Sequence, residues 1–422
     1  MKKVILGVLS LFLIGTSTLF AQTWTAQTSP VSTDLNGAWA CDANVVWMCG
    51  PTGVVIRTTN GGATWSMANT GLTGNDFYTI AAVDANTALA GAGDGGMWRT
   101  TNGGTSWTFE ALTPTPVFMD VVHLFDANNG FALSDPGAAA GLWNYYITTN
   151  AGLTWTVGAN RPPNAAGEAG WNGGYAAIDT GHIWWGTNNT KIWKGSFRGP
   201  FTSAVSPGAY SFCMGFNDVN TGIAGMVTST PSVLPLAKSV NGGTSWTATS
   251  FTPINVTYAM KFVPGTGYGW FGTQNIYRTT DVGTTWTSQL TLSTTTLCYA
   301  LSMLNVNTGW AGTQAGHIYV YHDVVGIDPN NNNVPKSYAL QQNYPNPFNP
   351  TTNIKYSIPT ASRVTITIYD ALGNEVRTLV NEYKGVGNYV ESFDASNLSS
   401  GIYFYTLRAG DFVQSKKMSL IK

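Results

Sequence analysis

The sequence predicts an all-β protein, with a seven-bladed β-propeller followed by a small β-sandwich. An octapeptide of turn residues ending in Trp recurs along most of the chain. Only 10% of the 422 residues are charged, whereas 48 are Gly and 16 are Trp. Short apolar runs alternate with turns rich in Gly, Asn and Asp, which is typical of strands. Together these features indicate repeated small sheets joined by tight turns.

The octapeptide occurs in five clear copies. They are TTNGGATW ending at Trp65, TTNGGTSW at Trp107, TTNAGLTW at Trp155, SVNGGTSW at Trp246 and TTDVGTTW at Trp286. An Asn or Asp side chain that bonds its own backbone and a Gly at positive φ predict a tight hairpin, after which Trp packs between neighbouring sheets.

Repeat spacing gives the number of blades. Starting from Trp24, successive Trp residues are 41, 42, 48, 91 and 40 residues apart. The gap of 91 holds two repeats, one of which has a decayed turn in which Phe201 replaces Trp. The last repeat stops after HIYVY at Tyr321, and the TWTAQT that begins at Thr23 resembles the outer-strand sequence TWTSQL, Thr285 to Leu290. We therefore expect the two ends of residues 22–325 to complete the seventh blade together.

The pattern Ser/Thr-x-Asp/Asn-x-Gly-x-Thr/Ser-Trp resembles the Asp-box or BNR repeat. This repeat occurs in sialidases, sortilin-type receptors and the photosystem II stability/assembly factor family, so it implies a propeller without implying one chemistry. The structural residues that the resemblance assigns are Asn60, Gly62, Trp65, Asn102, Gly104, Trp107, Asn150, Gly152, Trp155, Asn241, Gly243, Trp246, Asp281, Gly283 and Trp286.

Residues 1–21 have the layout of a secretory signal peptide. Lys2 and Lys3 precede an apolar run from Val4 to Ile14, and Ala21 provides a cleavage site. Later apolar runs are all shorter than the roughly 20 residues that span a bilayer. We expect an exported protein without a transmembrane segment.

After a Pro- and Asn-rich linker, 326–337, the chain carries the motif NYPNPFNPTT. Its motif residues are Asn343, Tyr344, Pro345, Asn346, Pro347, Phe348, Asn349 and Pro350. With VTITIYDALGNEV from Val364 and LSSGIYFYTLRAG from Leu398, residues 338–422 resemble the type A C-terminal sorting domain of type IX secretion substrates. Alternating apolar residues predict an immunoglobulin-like sandwich. The resemblance implies the type IX machinery as partner, and passage through the periplasm to the outer surface or the medium.

Charge and metal-binding residues exclude several classes of function. Residues 23–325 contain 9 Lys and Arg against 14 Asp and Glu, so no nucleic-acid partner is expected. The four His are scattered, which predicts no metal site, and no cofactor motif stands in its proper context. Cys41 and Cys49 flank one predicted turn and would form a disulfide only if the strand register places them opposite each other.

Most charged residues of the propeller follow the repeat. Three arginines each precede an octapeptide and are interpreted as structural: Arg57, Arg99 and Arg278. Five aspartates recur in the first turn of their repeats and are expected to cap that turn: Asp42, Asp84, Asp126, Asp179 and Asp218. The carboxylates outside the repeat pattern are Asp34, Asp76, Asp94, Glu110, Asp120, Asp135, Glu168 and Asp323. A glycoside hydrolase would need two of them facing each other across a pocket.

The favoured hypothesis is a non-catalytic binding propeller for an extracellular glycan or protein. The alternatives are a secreted glycoside hydrolase of the sialidase-like or xyloglucanase-like propeller type and a structural adhesin. Strand parity places three long connections on one face: Ser134 to Leu142, Gly158 to Gly173 and Val227 to Pro235. The ligand contacts predicted in or beside them are Trp143, Arg161, Glu168 and Trp171.

Overall fold

The computed structural model describes residues 23–137, 139–228, 235–322, 337–360, 362–384 and 387–421. The predicted signal peptide, Asp323 and all but the last residue of the predicted linker lie outside these ranges. Within them the regular structure is β-strand apart from one short 3-10 turn, Gln314–Gly316. The chain divides into two compact units, Met1–Val325 and Gly326–Lys422. A search of these residues finds no helix long and apolar enough to cross a membrane.

The described residues of the first unit form seven four-stranded antiparallel sheets, the number that the repeat spacing predicts. Sheets one to three, in chain order, contain β2 (Gly37–Ala40), β3 (Val46–Cys49), β4 (Val55–Thr58) and β5 (Ser66–Met67); β6 (Phe77–Ala82), β7 (Ala88–Ala92), β8 (Met97–Thr100) and β9 (Thr108–Glu110); and β10 (Met119–Leu124), β11 (Gly130–Ser134), β13 (Asn144–Thr148) and β14 (Thr156–Val157). A two-stranded ribbon joins β12 (Gly141–Leu142) to β15 (Pro163–Asn164).

The remaining four sheets repeat this arrangement. They contain β16 (Tyr175–Asp179), β17 (His182–Gly186), β18 (Lys191–Gly195) and β19 (Phe201–Val205); β20 (Tyr210–Phe216), β21 (Gly222–Val227), β22 (Ala237–Ser239) and β23 (Thr247–Ala248); β24 (Ala259–Phe262), β25 (Gly269–Gly272), β26 (Asn275–Thr279) and β27 (Thr287–Thr291); and β28 (Cys298–Asn305), β29 (Thr308–Thr313), β30 (Ile318–His322) and β1 (Thr23–Gln27).

The sheets pack side by side in a ring. The innermost strand of the first sheet, β2, contacts both β6 of the second sheet and β28 of the seventh. In the seventh sheet β1 pairs with β30, and Trp24 lies opposite Tyr321, as the matching of the two ends predicts. Residues of the innermost strands β2, β6, β16, β24 and β28 line one central space, which we call the channel, and the structure is an all-β propeller.

Hydrogen bonds explain the residue types of the octapeptide. In every copy the first Ser or Thr hydroxyl accepts the amide N–H of the conserved Gly, at 2.8–3.0 Å. The Asn or Asp side chain accepts the N–H four residues later, at 2.8–3.0 Å. Each Gly has positive φ, between 75° and 94°, where other residues are strained. The octapeptide is therefore a self-contained turn between the third and fourth strands.

Turn carboxylates and thiols occupy structural positions. The predicted capping role is confirmed for Asp42, Asp84, Asp126, Asp179 and Asp218, whose Oδ1 atoms accept backbone N–H groups two or three residues later. Cys41 follows β2 at one end of its hairpin, whereas Cys49 pairs with Gly37 at the other end. The two thiols are free and are not placed for a disulfide.

The second unit is built from two antiparallel sheets. They contain β31 (Ala339–Leu340), β32 (Thr351–Ile358) and β35 (Gly387–Asp394); and β33 (Ser362–Tyr369), β34 (Glu375–Lys384), β36 (Gly401–Ala409) and β37 (Phe412–Leu420). One apolar core lies between them, and it includes the alternating residues Val364, Ile366 and Ile368, as their spacing predicts. All of the residues assigned to this core come from the second unit.

Candidate functional site

Two of the four predicted ligand contacts lie in the interior. Trp143 is fully buried, and its ring packs edge-on against Trp185 at 5.9 Å. Glu168 is also buried, where it pairs with Lys191 at 3.1 Å and accepts the indole N–H of Trp193. Both predictions are corrected: each side chain packs its own part of the chain against the fourth sheet, and neither offers a surface to a ligand.

The other two predicted contacts are at least partly exposed. Arg161 donates to the backbone oxygen of Trp143 and is partly buried beside the ribbon. Trp171 is 38% exposed and packs on Phe212, with ring centroids 4.2 Å apart. Of the four residues, Trp171 alone lines the cavity described below.

The long connection after β14 enters the channel. Its first part pairs with the connection before β13, because Gly141 lies opposite Asn164 in the ribbon. Its end reaches across the channel: the Asn172 amide donates to the backbone oxygen of Tyr78 in the second sheet, and Gly173 accepts the N–H of Met214 in the fifth. Residues 229–234 of the third long connection lie outside the described ranges.

Bulges turn large side chains into the channel. The strand register skips Tyr78 in β6, Phe212 in β20 and Tyr299 in β28, so each is the extra residue of a bulge. Neighbouring rings touch: Phe212 and Tyr258 are 6.1 Å apart, and Tyr258 and Tyr299 are 5.0 Å apart. One end of the channel is therefore bordered by aromatic side chains from several sheets, and we call it the aromatic mouth.

A cavity opens at the aromatic mouth. Its aromatic wall consists of Tyr78, Trp171, Tyr258 and Tyr299, and its polar groups include Asp34 and Asn36. Burial raises the pKa of the Tyr258 hydroxyl, and burial followed by the nearby Asp34 carboxylate raises that of Tyr299. Both phenols consequently stay neutral hydrogen-bond donors at physiological pH.

Below the mouth the cavity continues to Lys261 on β24. Tyr78, Tyr258, Tyr299 and Lys261 line the same space, of about 50 Å³. The Lys261 ammonium lies over the ring of Tyr175, 4.9 Å from its centroid. Burial lowers the pKa of Lys261 to about 8, and burial followed by the Lys261 charge lowers that of His123 to about 3. His123 is therefore neutral, and at pH 7 Lys261 carries a charge.

Asp120 and Asp135 form a carboxyl pair beside this channel. Asp120 is 1% exposed, and neither carboxyl oxygen has a hydrogen-bond donor among the described residues. Asp135 accepts the N–H of Gly170, at the start of the segment that crosses the channel. Burial first, and then the Asp135 charge, raise the pKa of Asp120 well above its usual value. Asp120 is held protonated beside its neighbour.

We expect Asp120→Asn to stabilise the protein at neutral pH. Below about pH 4 Asp120 is protonated in both the folded and the unfolded chain, so its ionisation adds little to the difference in unfolding free energy between the variant and wild type. Above this pH the unfolded chain releases the proton and the folded chain retains it, which removes about 1.4 kcal/mol of stability per pH unit up to the folded pKa. Asn avoids this loss. Denaturant unfolding from pH 4 to 8 should show a difference that grows with pH.

Asp126→Asn provides the control with the opposite sign. Hydrogen bonds from the Asn129 side chain and from backbone amides lower the pKa of Asp126, so its carboxylate contributes stability at neutral pH that acid removes. Its substitution should be harmful at pH 7 and should become less harmful as the pH falls below about 4, through the lowered pKa of the folded state. An Asp120→Asn difference that is constant with pH would contradict the carboxyl-pair interpretation.

The aromatic residues that line the mouth carry a signal in the sequence. Tyr78 and Phe212 each stand six positions before the turn aspartate of their repeats, Asp84 and Asp218, and Tyr299 stands six before Asn305. Alignment of the first strands, and not only of the octapeptides, would have identified this ring. The strict alternation of inward and outward residues along a strand does not reveal these positions, because each bulge shifts the alternation by one residue.

The NYPNPFNP motif precedes β32, and part of it packs into the core of the second unit. Asn343 is 1% exposed; its N–H donates to the Tyr405 hydroxyl and its amide donates to Thr352. Phe348 is buried in the core and its N–H bonds Ser419, while Tyr344 is 79% exposed. The motif residues thus include both internal supports and a freely accessible ring.

Comparisons with known proteins identify the second unit and the propeller fold. Residues 342–422 match the family of the secretion system C-terminal sorting domain. A search of curated protein sequences finds no significant match. The sorting domain indicates export through the type IX secretion system to the cell surface or outside the cell.

Several solved structures share the fold. YCF48 bound to D1 peptide is 14% identical with a TM-score of 0.56, over 71% of this chain and 96% of that chain; YCF48 from Cyanidioschyzon merolae is 17% identical with a TM-score of 0.54, over 71% and 99%. PorZ, an essential surface component of the type IX secretion system of Porphyromonas gingivalis, is 13% identical with a TM-score of 0.51, over 92% of this chain and 60% of that chain. At these identities the likeness shows the fold alone.

Proposed function

We propose that this protein is a non-catalytic binding propeller whose ligand, an extracellular glycan or protein, is seated on the aromatic mouth of the channel. The observation that supports the proposal is the convergence of Tyr78, Trp171, Tyr258 and Tyr299 on one cavity with Asp34 and Asn36. Pockets that combine apolar rings with a few convergent polar groups are the usual form of a ligand site. The sorting domain delivers this surface to a compartment where such ligands occur.

The carboxylates give no comparable support to a glycoside hydrolase. Asp34 is the one carboxylate that lines the mouth cavity within the described ranges. Asp120 and Asp135 are neighbours, but Asp120 is enclosed, and Glu168 is paired with Lys191. Hydrolysis of a glycoside requires two carboxyl groups that both reach the scissile bond. The geometry of the mouth favours binding over this chemistry.

Replacing Trp171 with Ala tests the proposal. The substitution removes an exposed ring and should weaken ligand affinity at least about tenfold, since central aromatic contacts typically contribute more than about 1.4 kcal/mol. The mature protein would be applied to glycan and protein arrays, and the affinity of a selected ligand would then be measured by calorimetry. Thermal unfolding should change little, because the ring is 38% exposed.

Phe109→Ala is the matched control. Phe109 is a 54% exposed ring on β9, in the outer strand of the second sheet, and it does not line the mouth. Its removal should leave affinity unchanged. A ligand that binds wild type and Trp171→Ala equally well would show that the aromatic mouth is not the binding site.

A further inference from the structure

Within the part of the chain that the structure describes, Lys261 is a charged group without a counter-charge. Among the described residues its ammonium forms no ion pair and no hydrogen bond; its close contact is the ring of Tyr175. Two other titratable groups of the channel, His123 and Tyr175, are neutral, because burial lowers the pKa of the first to about 3 and raises that of the second. The lower part of the cavity is therefore electrostatically positive.

Such a charge prefers an anionic partner. An ammonium that is withdrawn from bulk water loses solvation, and a ring face returns only part of that free energy. An anion that enters the cavity compensates for this lost solvation, because opposite charges attract each other more strongly there than in water. Tyr78, Tyr258 and Tyr299 line both the mouth cavity and the space beside Lys261, so one ligand can contact the mouth and the ammonium.

We propose that the cavity binds an acidic saccharide, with a sugar carboxylate paired to Lys261 and a sugar ring against the aromatic mouth. This inference rests on the proposed function and names its ligand class. Trp171 is 38% exposed and offers ring surface to the C–H groups of a sugar. The neutral hydroxyls of Tyr258 and Tyr299 can donate to sugar oxygens. Asp34 Oδ1 already accepts the N–H of Ala315 and the Asn36 amide already donates to Phe77, so the second oxygen of Asp34 and the amide oxygen of Asn36 are the acceptors offered to sugar hydroxyls.

The arrangement of these groups favours a saccharide over a peptide end. The polar atoms belong to side chains of different sheets and converge radially on one small cavity. An extended peptide is usually recognised by a row of backbone groups along a sheet edge. Here the bulges at Tyr78, Phe212 and Tyr299 interrupt the inner strands that would provide such a row. A compact polyhydroxylated ring fits the radial arrangement.

Calorimetry with two matched ligands tests the inference on the mature full chain. The probes are trigalacturonate and its trimethyl ester, which differ in charge but retain the hydroxyls. We expect trigalacturonate to bind wild type at least tenfold more tightly than the ester. Lys261→Met should abolish this difference while leaving the ester affinity unchanged; Lys261→Gln, checked by its thermal unfolding, provides a second neutral variant.

The dependence on pH supplies a readout that needs no variant. Lys261, whose pKa is about 8, loses its charge between pH 7 and 9, so trigalacturonate affinity should fall several-fold over this range while ester affinity stays constant. Of the neighbouring groups, His123, which packs on Tyr175, is neutral throughout, burial raises the pKa of Tyr175, Tyr258 and Tyr299, and Asp34 lies at the mouth.

The possible results separate this inference from the proposed function. Equal binding of acid and ester, with sensitivity to Trp171→Ala, overturns the role of Lys261 but leaves the aromatic mouth as a binding site. The saccharide class is overturned if trigalacturonate does not bind but a pentapeptide binds through its free carboxylate. Such binding would be lost when the peptide is amidated and in Lys261→Met. Trigalacturonate binding that is insensitive to both Trp171 and Lys261 overturns both proposals.

Discussion

Replacing Trp24 with Ala is expected to reduce the free energy of unfolding by about 3–5 kcal/mol, the usual cost of removing a buried Trp ring. Trp24 is 6% exposed in β1, the strand that completes the seventh sheet, and its ring lies 5.2 Å from that of Tyr321. The substitution weakens the closure of the ring of sheets, because β1 and β30 come from opposite ends of the propeller sequence. Urea unfolding followed by tryptophan fluorescence and circular dichroism measures it.

Thr25→Ala is the appropriate comparison. Thr25 is exposed in the same strand, and a surface substitution of this kind usually changes stability by less than about 0.5 kcal/mol. Deletion of residues 23–31 should be more severe than either substitution, since it leaves β30 as an unpaired apolar edge prone to aggregation. Wild-type stability of the deletion variant would show that closure by β1 is dispensable.

Removing residues 338–422 is expected to abolish surface delivery in a host with type IX secretion and to leave a folded propeller inside the cell envelope. The sorting-domain match covers 342–422, and the core of this unit contains no propeller residue. Deletion therefore removes the export signal without opening a propeller core. Surface labelling, cell fractionation and protease protection of the truncated protein would measure the effect.

The reciprocal construction strengthens this test. Residues 338–422 fused behind a signal peptide and an unrelated folded passenger should carry that passenger to the surface or the medium. As a control, the same fusion in a strain without a type IX system should remain inside the envelope. Normal surface delivery of the truncated protein would contradict the role of this domain as the export signal.

Local residue chemistry determined much of the fold. The octapeptide turn depends on hydrogen bonds within eight residues and on one Gly at positive φ, so its presence can be read from the sequence alone. The same is true of the turn aspartates and of the alternating core residues Val364, Ile366 and Ile368. Repetition then gave the sheet number, and the likeness of the two ends gave the pairing of Trp24 with Tyr321.

The candidate site depended on tertiary structure. Trp143 and Glu168 lie in or next to long polar connections, which made them resemble surface residues, yet packing across the third and fourth sheets buries them. Tyr78, Tyr258 and Tyr299 are far apart in the sequence and meet only because the ring of sheets closes around the channel. The importance of the Lys261 charge likewise depends on the residues that surround it. The sequence by itself determined the turns, the sheets and the sorting domain, since these rest on contacts within one repeat or motif. The tertiary structure alone decided which side chains share a cavity, because burial and charge compensation are set by neighbours from other repeats.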